Sequence, residues 1–276
     1  MHANTLIRAR GIVHCHSQLS FDSQTTISEL RDALVGAGFS FVALTEHVRD
    51  LTQAKYASFV DECKCYSDER FVVIPGLEFR CEAGIEIAGL WLNELVTFTH
   101  PEDAVRHVRE RNGYAIWVHP LKRSGWSGLL DCDAVEAFNC KMDGPVAPNL
   151  RLLNYLKRAR SEGKPFHIVF GLDLHNLNQP LSAWLECNVS KLSAENVISA
   201  LRAGQFSACT KHIRLESDGT TTFPVHARMY ALRAAYLAWN WLLGAVPIGI
   251  RKKLISGTRG VVRQLHTKHG IEVNLR

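Results

Sequence analysis

The chain has 276 residues, which is enough for one large domain or for a domain with an appendage. With 46% hydrophobic and 21% charged residues, its composition excludes a disordered or fibrous protein. The net charge of +5 suits an anionic substrate or a membrane surface, but it is too small to predict nucleic-acid binding by itself.

The eight cysteines are scattered, and no two of them have the Cys-x2-Cys spacing of a zinc finger or a redox site. Arg8 and Arg10 precede the first predicted strand directly, so the N-terminus does not resemble a signal peptide. We therefore expect reduced thiols and a cytoplasmic protein.

The first predicted strand, residues 11–16, ends in two histidines, His14 and His16. Side chains two apart on a strand point to the same face, so the two imidazoles are expected side by side. Paired imidazoles at a strand end suit a metal site. A His-x-His pair alone is weak evidence, because most such pairs are incidental.

The same pattern recurs along the chain, where further apolar strands end in histidine or carboxylate side chains. These strands cover residues 39–47, 70–78, 114–119 and 165–175, and their terminal polar residues are His47, Glu78, His119, and the pair Asp173 and His175. Shorter strands are predicted over 84–90 and 133–139. Predicted helices alternate with the strands over residues 28–37, 52–68, 101–112, 149–162 and 193–203, and the first is expected to be capped by Ser28 with an incomplete capping box.

Strands that alternate with helices predict an α/β fold with a largely parallel sheet. The strands are continuously apolar, as expected when both faces of a sheet are covered. Seven such units favour a closed barrel over an open sheet. In such a barrel, the rim at the carboxyl ends of the strands is where catalytic residues gather.

Eight nitrogen and oxygen ligands are expected at this rim: His14, His16, Asp22, His47, Glu78, His119, Asp173 and His175. This set suits manganese, zinc or iron, and more than one ion at once. Each residue also has a structural interpretation: a loop histidine with ordinary partners, a turn or cap aspartate, or a carboxylate bonded to backbone. Their shared position at strand ends favours the metal site.

The motifs that carry these ligands resemble the PHP family (polymerase and histidinol phosphatase domains). The resemblance covers about residues 11–210 in the family's order, through residues 14–23, 45–47, 75–78, 119–120 and 171–175. It implies a distorted (β/α)7 barrel with a two- or three-metal site. By family pattern one ion is held by His14, His16, Glu78 and Asp173, a second by Glu78 and His119, and a third by Asp22, His47 and His175.

Two positions depart from the family pattern. Glu46 stands where the family usually has aspartate, beside the retained His47. By the same resemblance, Glu86 occupies the place of a histidine ligand to the second metal. A carboxylate still binds a metal, so either the second site favours a harder ion or that site is weakened.

The chemistry implied is metal-dependent hydrolysis of a phosphate ester of a small metabolite or nucleotide. His175 or His119 is a candidate proton donor to the leaving oxygen. Arg80, Lys122 and Arg123 follow the ends of two strands, where they are either phosphate ligands or solvated loop residues. Two alternatives remain. One is another metallohydrolase reaction, for which Glu86 is the hint, and the other is a non-catalytic module that metals stabilise and whose C-terminal segment binds a partner or lipid.

The family pattern stops near residue 215, so we expect a metallohydrolase domain over residues 1–214 and a helical appendage over residues 215–276. Residues 234–250 carry no charge, and Arg251, Lys252 and Lys253 follow. This apolar run is short and interrupted for a membrane span. Residues 234–253 are therefore expected to pack on the domain, to form an oligomer contact, or to lie peripherally on an anionic membrane.

Overall fold

The computed structural model describes residues 6–120, 131–144, 146–164 and 166–244. Lys122, Arg123 and residues 245–253, for which the sequence predicts functional contacts, lie outside the described residues. The strands of the described part form two six-stranded sheets.

The first sheet contains, in spatial order, β12 (Arg214–Glu216), β11 (Phe206–Thr210), β10 (Ala183–Val189), β1 (Ile7–Cys15), β2 (Phe41–Leu44) and β4 (Val72–Ile74). β1, β2 and β4 run parallel, whereas β10, β11 and β12 extend the sheet by antiparallel pairs.

The second sheet contains β3 (Glu46–His47), β5 (Gly76–Arg80), β6 (Glu86–Leu90), β7 (Tyr114–Val118), β8 (Ala134–Asn139) and β9 (His167–Gly171). β6 pairs antiparallel with both β5 and β7, and the other neighbours are parallel. An isolated bridge between Cys15 and Leu174 connects the end of β1 to the segment after β9.

The helices are α1 (Ile27–Gly36), α2 (Gln53–Cys65), α3 (Pro101–Glu110), α4 (Cys140–Asp143), α5 (Leu150–Ser161), α6 (Ala194–Arg202) and α7 (Phe223–Gly244), with a short 3-10 turn at Glu82–Gly84. The cap expected at Ser28 is wrong. Thr26 caps α1 instead, because its hydroxyl accepts from Glu29 N while Glu29 accepts from Thr26 N, which completes the capping box.

The mixed α/β class is confirmed, and the apolar strand runs form the core as predicted. Every residue of β2, β4, β7 and β8 is buried. The largely parallel pairing is only partly right, since antiparallel pairs flank both parallel segments. The closed seven-unit barrel stays a prediction.

The single strand expected over residues 70–78 is divided between β4 and β5, which lie in different sheets. β5 continues to Arg80, and the chain returns as β6. Gly76 opens this β5–β6 hairpin, and a Cβ there would meet Gly89 O at 2.5 Å and Leu44 O at 2.7 Å. Only glycine permits this close approach of three backbone segments. Glu78 therefore projects from the middle of a strand whose backbone is bonded on both sides.

The predicted boundary at residue 214 falls on β12, which pairs with β11. α7 follows and packs through buried Met229 and Leu243, while Arg233 donates to Asp143 O at 2.6 Å. The division into two domains stays a prediction. No helix among the described residues combines the length and the hydropathy that crossing a membrane requires.

Candidate metal centre

The bridge between Cys15 and Leu174 brings two sequence-distant ligand pairs together. His16 N donates to Leu174 O at 2.8 Å, and Leu174 N donates to His14 O at 3.2 Å. The backbone is left-handed at His14, His119 and Asp173, with φ of 64°, 51° and 51°. Such conformations cost on the order of 1–3 kcal/mol for non-glycine residues and cluster at functional sites. Three predicted ligands thus adopt a conformation that local preference disfavours.

His14, His16, Glu78 and Asp173 form what we call the buried tetrad. His14 Nε2 lies 3.5 Å from both Glu78 Oε2 and Asp173 Oδ1, and His16 Nε2 lies 3.4 Å from the same two oxygens. All four residues are almost fully buried. The sequence-predicted ligands of the first ion are therefore brought to one point.

The donor atoms of the tetrad fit a divalent ion. His14 Nε2, His16 Nε2 and Glu78 Oε2 are buried and have no hydrogen-bond partner among the described residues. Buried polar atoms are normally satisfied, so three orphans around one point call for a cation. Donors at about 2.1 Å from a shared tetrahedral ion lie about 3.4 Å apart, which matches the separations within the tetrad.

The electrostatics of the tetrad keep both carboxylates ionised. Burial alone would raise the pKa of Glu78 and of Asp173, but the neighbouring histidines outweigh it and lower both. Burial lowers the pKa of His16 to about 4. Burial alone would lower the pKa of His14, but Glu136 and Glu78 outweigh it and raise that pKa well above its usual value, so His14 would bind a metal by releasing the proton on Nε2. The tetrad thus presents a neutral imidazole at His16 and two ionised carboxylates.

Glu136 fixes the tautomer of His14. Its Oε1 lies 2.8 Å from His14 Nδ1, and an ionised carboxylate only accepts, so Nδ1 carries a proton and Nε2 is the ring nitrogen left to bind a metal in the tetrad. Gly171 makes room for this contact, because a Cβ there would meet Glu136 Oε1 at 1.8 Å. Glu136 Oε2 also accepts from His119 N at 3.1 Å, so one carboxylate supports two predicted ligands.

Ser20 and Glu46 support His16 in the same way. Ser20 Oγ donates to Glu46 Oε2 at 2.5 Å and accepts from His47 N at 3.0 Å. It lies 3.2 Å from His16 Nδ1, so that nitrogen donates and Nε2 again faces the tetrad. Burial raises the pKa of Glu46 to about 7. Glu46, which stands where the family usually has aspartate, therefore supports the ligand His16 through Ser20.

A second cluster surrounds His119. His119 Nε2 lies 3.7 Å from Glu78 Oε1, 4.0 Å from Glu86 Oε2 and 3.8 Å from Asp173 Oδ2. Glu78, Glu86 and His119 each offer a ligand atom within 4.8 Å of the others. Glu86 thus lies near His119 and Glu78, and Glu78 faces this cluster with its second oxygen. The role of Glu86 as a metal ligand stays a prediction.

Asp22, His47 and His175, which we call the outer triad, form a third cluster. Asp22 Oδ2 lies 3.0 Å from His175 Nε2 and 3.5 Å from His47 Nε2. His175 Nδ1 donates to Asp173 O at 2.8 Å, so the lone pair of its Nε2 points at a carboxylate. Two acceptors at this distance need a proton or a cation between them. The Asp22 side chain is 35% exposed, so this cluster is open to solvent.

Arg80 lies on the same strand as Glu78, two residues further, with its side chain exposed and Glu86 as its register partner. It is at the edge of the ligand clusters, and its role in substrate binding stays a prediction. Lys122 and Arg123 lie outside the described residues.

Sequence reasoning missed three contributors: Glu136, Ser20 and Lys141. Lys141 Nζ lies 2.8 Å from Asp173 Oδ2, with 48% of its side chain exposed. Glu136 could have been found from the sequence, because it is the one charged residue of β8, a strand that is apolar except for Glu136 and the terminal Asn139. Ser20 and Lys141 lie beyond strand ends and carry no comparable signal.

A family model described as PHP domain matches residues 13–180. The chain belongs to the PHP domain family. This confirms the family resemblance drawn from the motifs, and the matched range includes every predicted ligand from His14 to His175.

Solved structures resemble this PHP domain chain at low identity. A two-domain protein containing a predicted PHP-like metal-dependent phosphoesterase from Bacteroides vulgatus aligns with a TM-score of 0.54 and 13% identity, over 82% of this chain and 70% of that one. PsfC from Pseudomonas syringae aligns with a TM-score of 0.53 and 14% identity, over 83% and 99%. The lesion-specific endonuclease PfuEndoQ from Pyrococcus furiosus aligns with a TM-score of 0.52 and 12% identity, over 76% and 59%. A search of curated protein sequences gave no significant match. At these identities the likeness shows the fold alone.

Proposed function

We propose that this PHP domain hydrolyses phosphate esters with divalent metal ions held by the three clusters. The buried tetrad carries the proposal, because three of its ligand atoms face one point and have no hydrogen-bond partner in the part of the chain that the structure describes. The tetrad would hold the first ion, Glu78 with Glu86 and His119 the second, and the outer triad the third. The oxygen and nitrogen donors suit Mn, Zn or Fe.

Such ions, when bound, supply an activated water and polarise a phosphoryl oxygen. The chain's own residues prepare the site. Glu136 and the Ser20–Glu46 pair hold His14 and His16 in one tautomer, and left-handed backbone at three ligands fixes the directions of their side chains. The site therefore exists before substrate arrives, which lowers the cost of organising it during the reaction.

Lys141 is the residue we assign to the phosphoryl group. Its ammonium is half-exposed and already lies against Asp173, between the ligand clusters and solvent. A cation there suits an anionic phosphoryl oxygen, to which it would contribute a charge-assisted hydrogen bond. Arg80, exposed at the end of β5, is the second candidate for this contact.

His175 and His119 suit ligand roles better than proton donation. The Nδ1 proton of His175 is already donated to Asp173 O, so a metal on Nε2 would leave it no proton to transfer. His119 Nε2 faces two glutamates. Proton donation by either residue stays a prediction.

A small phosphorylated substrate is the class that we favour. A cavity of about 500 Å³ lies between the loop after β1 and α2, and the ring of Phe21 on its wall lies 5.1 Å from the ring of His47 in the outer triad. This volume suits a metabolite or nucleotide. Phe21 gives its wall an aromatic surface, and the charged residues that line it are Arg49, Lys55, Asp50 and Glu62.

A second candidate is hydrolysis of another bond at the same site. The observation that favours it is Glu86, a carboxylate 4.0 Å from His119 in the place of a second-metal histidine. An extra negative charge in the second cluster weakens its attraction for an anionic phosphoryl group.

The test is an assay of anaerobically purified protein, with its metals measured, against phosphomonoesters, phosphodiesters, a DNA duplex and amides. We expect manganese-, zinc- or iron-dependent release of phosphate or cleavage of a diester, with preference for small substrates. Glu78→Gln should abolish it, and the exposed Glu82→Gln should not. Metal-loaded protein that leaves every phosphate ester intact would contradict the proposal, and hydrolysis of amides alone would favour the second candidate.

A further inference from the structure

α7 exposes an apolar surface that the core does not use. Phe223, Tyr230, Leu237 and Trp241, which we call the α7 stripe, are 83%, 40%, 53% and 75% exposed. Spacings of seven, seven and four residues place them on one side of the helix, along about 27 Å. Single exposed apolar residues are ordinary, but an aligned set marks a contact surface.

The opposite side of α7 is already occupied. Met229 and Leu243 are buried, Arg233 donates to Asp143 O, and Tyr236 packs against Gly144. The stripe is therefore not a face that packing on the domain would cover. Packing on the domain, one of the three interpretations of the sequence, accounts for only one side of the helix.

Charge identifies the occupant. α7 contains no acidic residue, and Arg228 is the one charged side chain among the exposed residues of the helix as described. The sequence that follows, residues 245–276, carries seven Lys or Arg and one acidic residue. An apolar stripe with Trp and Tyr, next to a basic segment without matching acids, is complementary to anionic lipid headgroups over acyl chains.

We propose that the α7 stripe docks on an anionic membrane surface. The helix would lie in the interface with Phe223, Leu237 and Trp241 inserted, while Met229 and Leu243 keep it attached to the domain. Such a helix would lie along the membrane surface, and no helix among the described residues has the length and hydropathy of a membrane span. This proposal is independent of the chemistry at the metal centre.

The test is co-sedimentation of the full-length protein with vesicles of phosphatidylcholine, with and without phosphatidylglycerol. We expect binding only to the anionic vesicles, and weaker binding as salt is raised. The double variant Leu237→Glu with Trp241→Glu should bind at least about tenfold more weakly. Val35→Glu, which changes an exposed apolar residue of α1, should bind as the wild type does.

Circular dichroism and metal content of the variants show whether the domain is intact. As a second measurement, brominated acyl chains should quench tryptophan fluorescence of the wild type, and less so in Trp241→Phe, which leaves the stripe apolar. Failure of the wild-type protein to bind anionic vesicles would overturn the proposal, as would equal binding by the double variant. Concentration-dependent dimerisation lost in the double variant, without vesicle binding, would instead identify the stripe as an interface between two copies.

Discussion

The buried tetrad and the outer triad are built from the same residue types but in different surroundings. In the tetrad each histidine is held on its Nδ1 by a carboxylate or by a hydroxyl bonded to one. In the outer triad His175 Nδ1 donates to the backbone carbonyl of Asp173, and Asp22 comes from a loop and is open to solvent. Burial and the contacts that each ligand makes with supporting residues, rather than the identity of the ligands, therefore decide how firmly the tetrad and the triad are organised.

The largest loss of activity should follow from Glu78→Gln, because Glu78 contacts residues of both the buried tetrad and the outer triad. Glu78 Oε2 faces His14, His16 and His47, and Oε1 faces His119. Loss of its charge should reduce activity at least about a thousandfold. Elemental analysis should show fewer ions per chain. Glu82→Gln, in the turn just after β5, is the control, and full activity in Glu78→Gln would contradict its place at the centre.

A smaller effect is expected for Glu136→Gln, which tests the support behind the tetrad. The amide would set a donor against His119 N and Asn139 Nδ2, both of which now donate to Glu136 Oε2. Metal affinity should fall about 10- to 100-fold, as for other outer-shell carboxylates, measured by metal titration. The exposed Glu162→Gln should leave affinity unchanged. An unchanged metal affinity in Glu136→Gln would contradict the conclusion that supporting contacts make the buried tetrad more firmly organised than the outer triad.

Ser20→Ala should destabilise the fold, because it removes the hydroxyl that connects His16 of the tetrad to Glu46. Ser20 Oγ serves His16, Glu46 and the His47 backbone. Its loss leaves a buried carboxylate and a buried N–H with fewer partners, at a cost of about 1–3 kcal/mol. Chemical denaturation of metal-free protein measures this free energy of unfolding. Ser161→Ala, on the exposed end of α5, is the control, and equal stability of the two variants would argue against the Ser20 network.

The smallest effect on activity should be seen with Asp22→Asn. Together with mild chelation, this variant tests whether the outer triad holds its metal less firmly than the buried tetrad. A chelator should remove metal from the outer triad before the buried tetrad, because only the triad is open to solvent. Asp22→Asn should eliminate this fast phase and lower activity a few-fold, without changing thermal stability of the metal-free protein. A single phase, unchanged in the variant, would contradict the ordering.

Sequence reasoning could anticipate the ligands because each one interrupts or ends an apolar run. His14 and His16, Glu78, His119 and Asp173 are all visible in this way, and the structure brings them together. The supporting residues were hidden for physical reasons. Ser20 and Lys141 reach the centre from segments after strand ends, and loop direction is not encoded by periodicity.

The sheets show the same limit. Continuous apolar strands predict burial on both faces, but they do not reveal whether neighbours are parallel or antiparallel. The turn from β5 to β6 depends on a close approach of backbone at Gly76, and a single glycine in a sequence gives no sign of which segments meet there. The α7 stripe was likewise visible only as an apolar run until its packed side was known.

The most direct measurement is anomalous X-ray diffraction from crystals of the manganese-loaded protein. The account predicts a peak enclosed by His14 Nε2, His16 Nε2, Glu78 Oε2 and Asp173 Oδ1, with further density next to Glu78 Oε1 and in the outer triad. Crystals of protein that binds manganese in solution but shows no peak within the tetrad would contradict it.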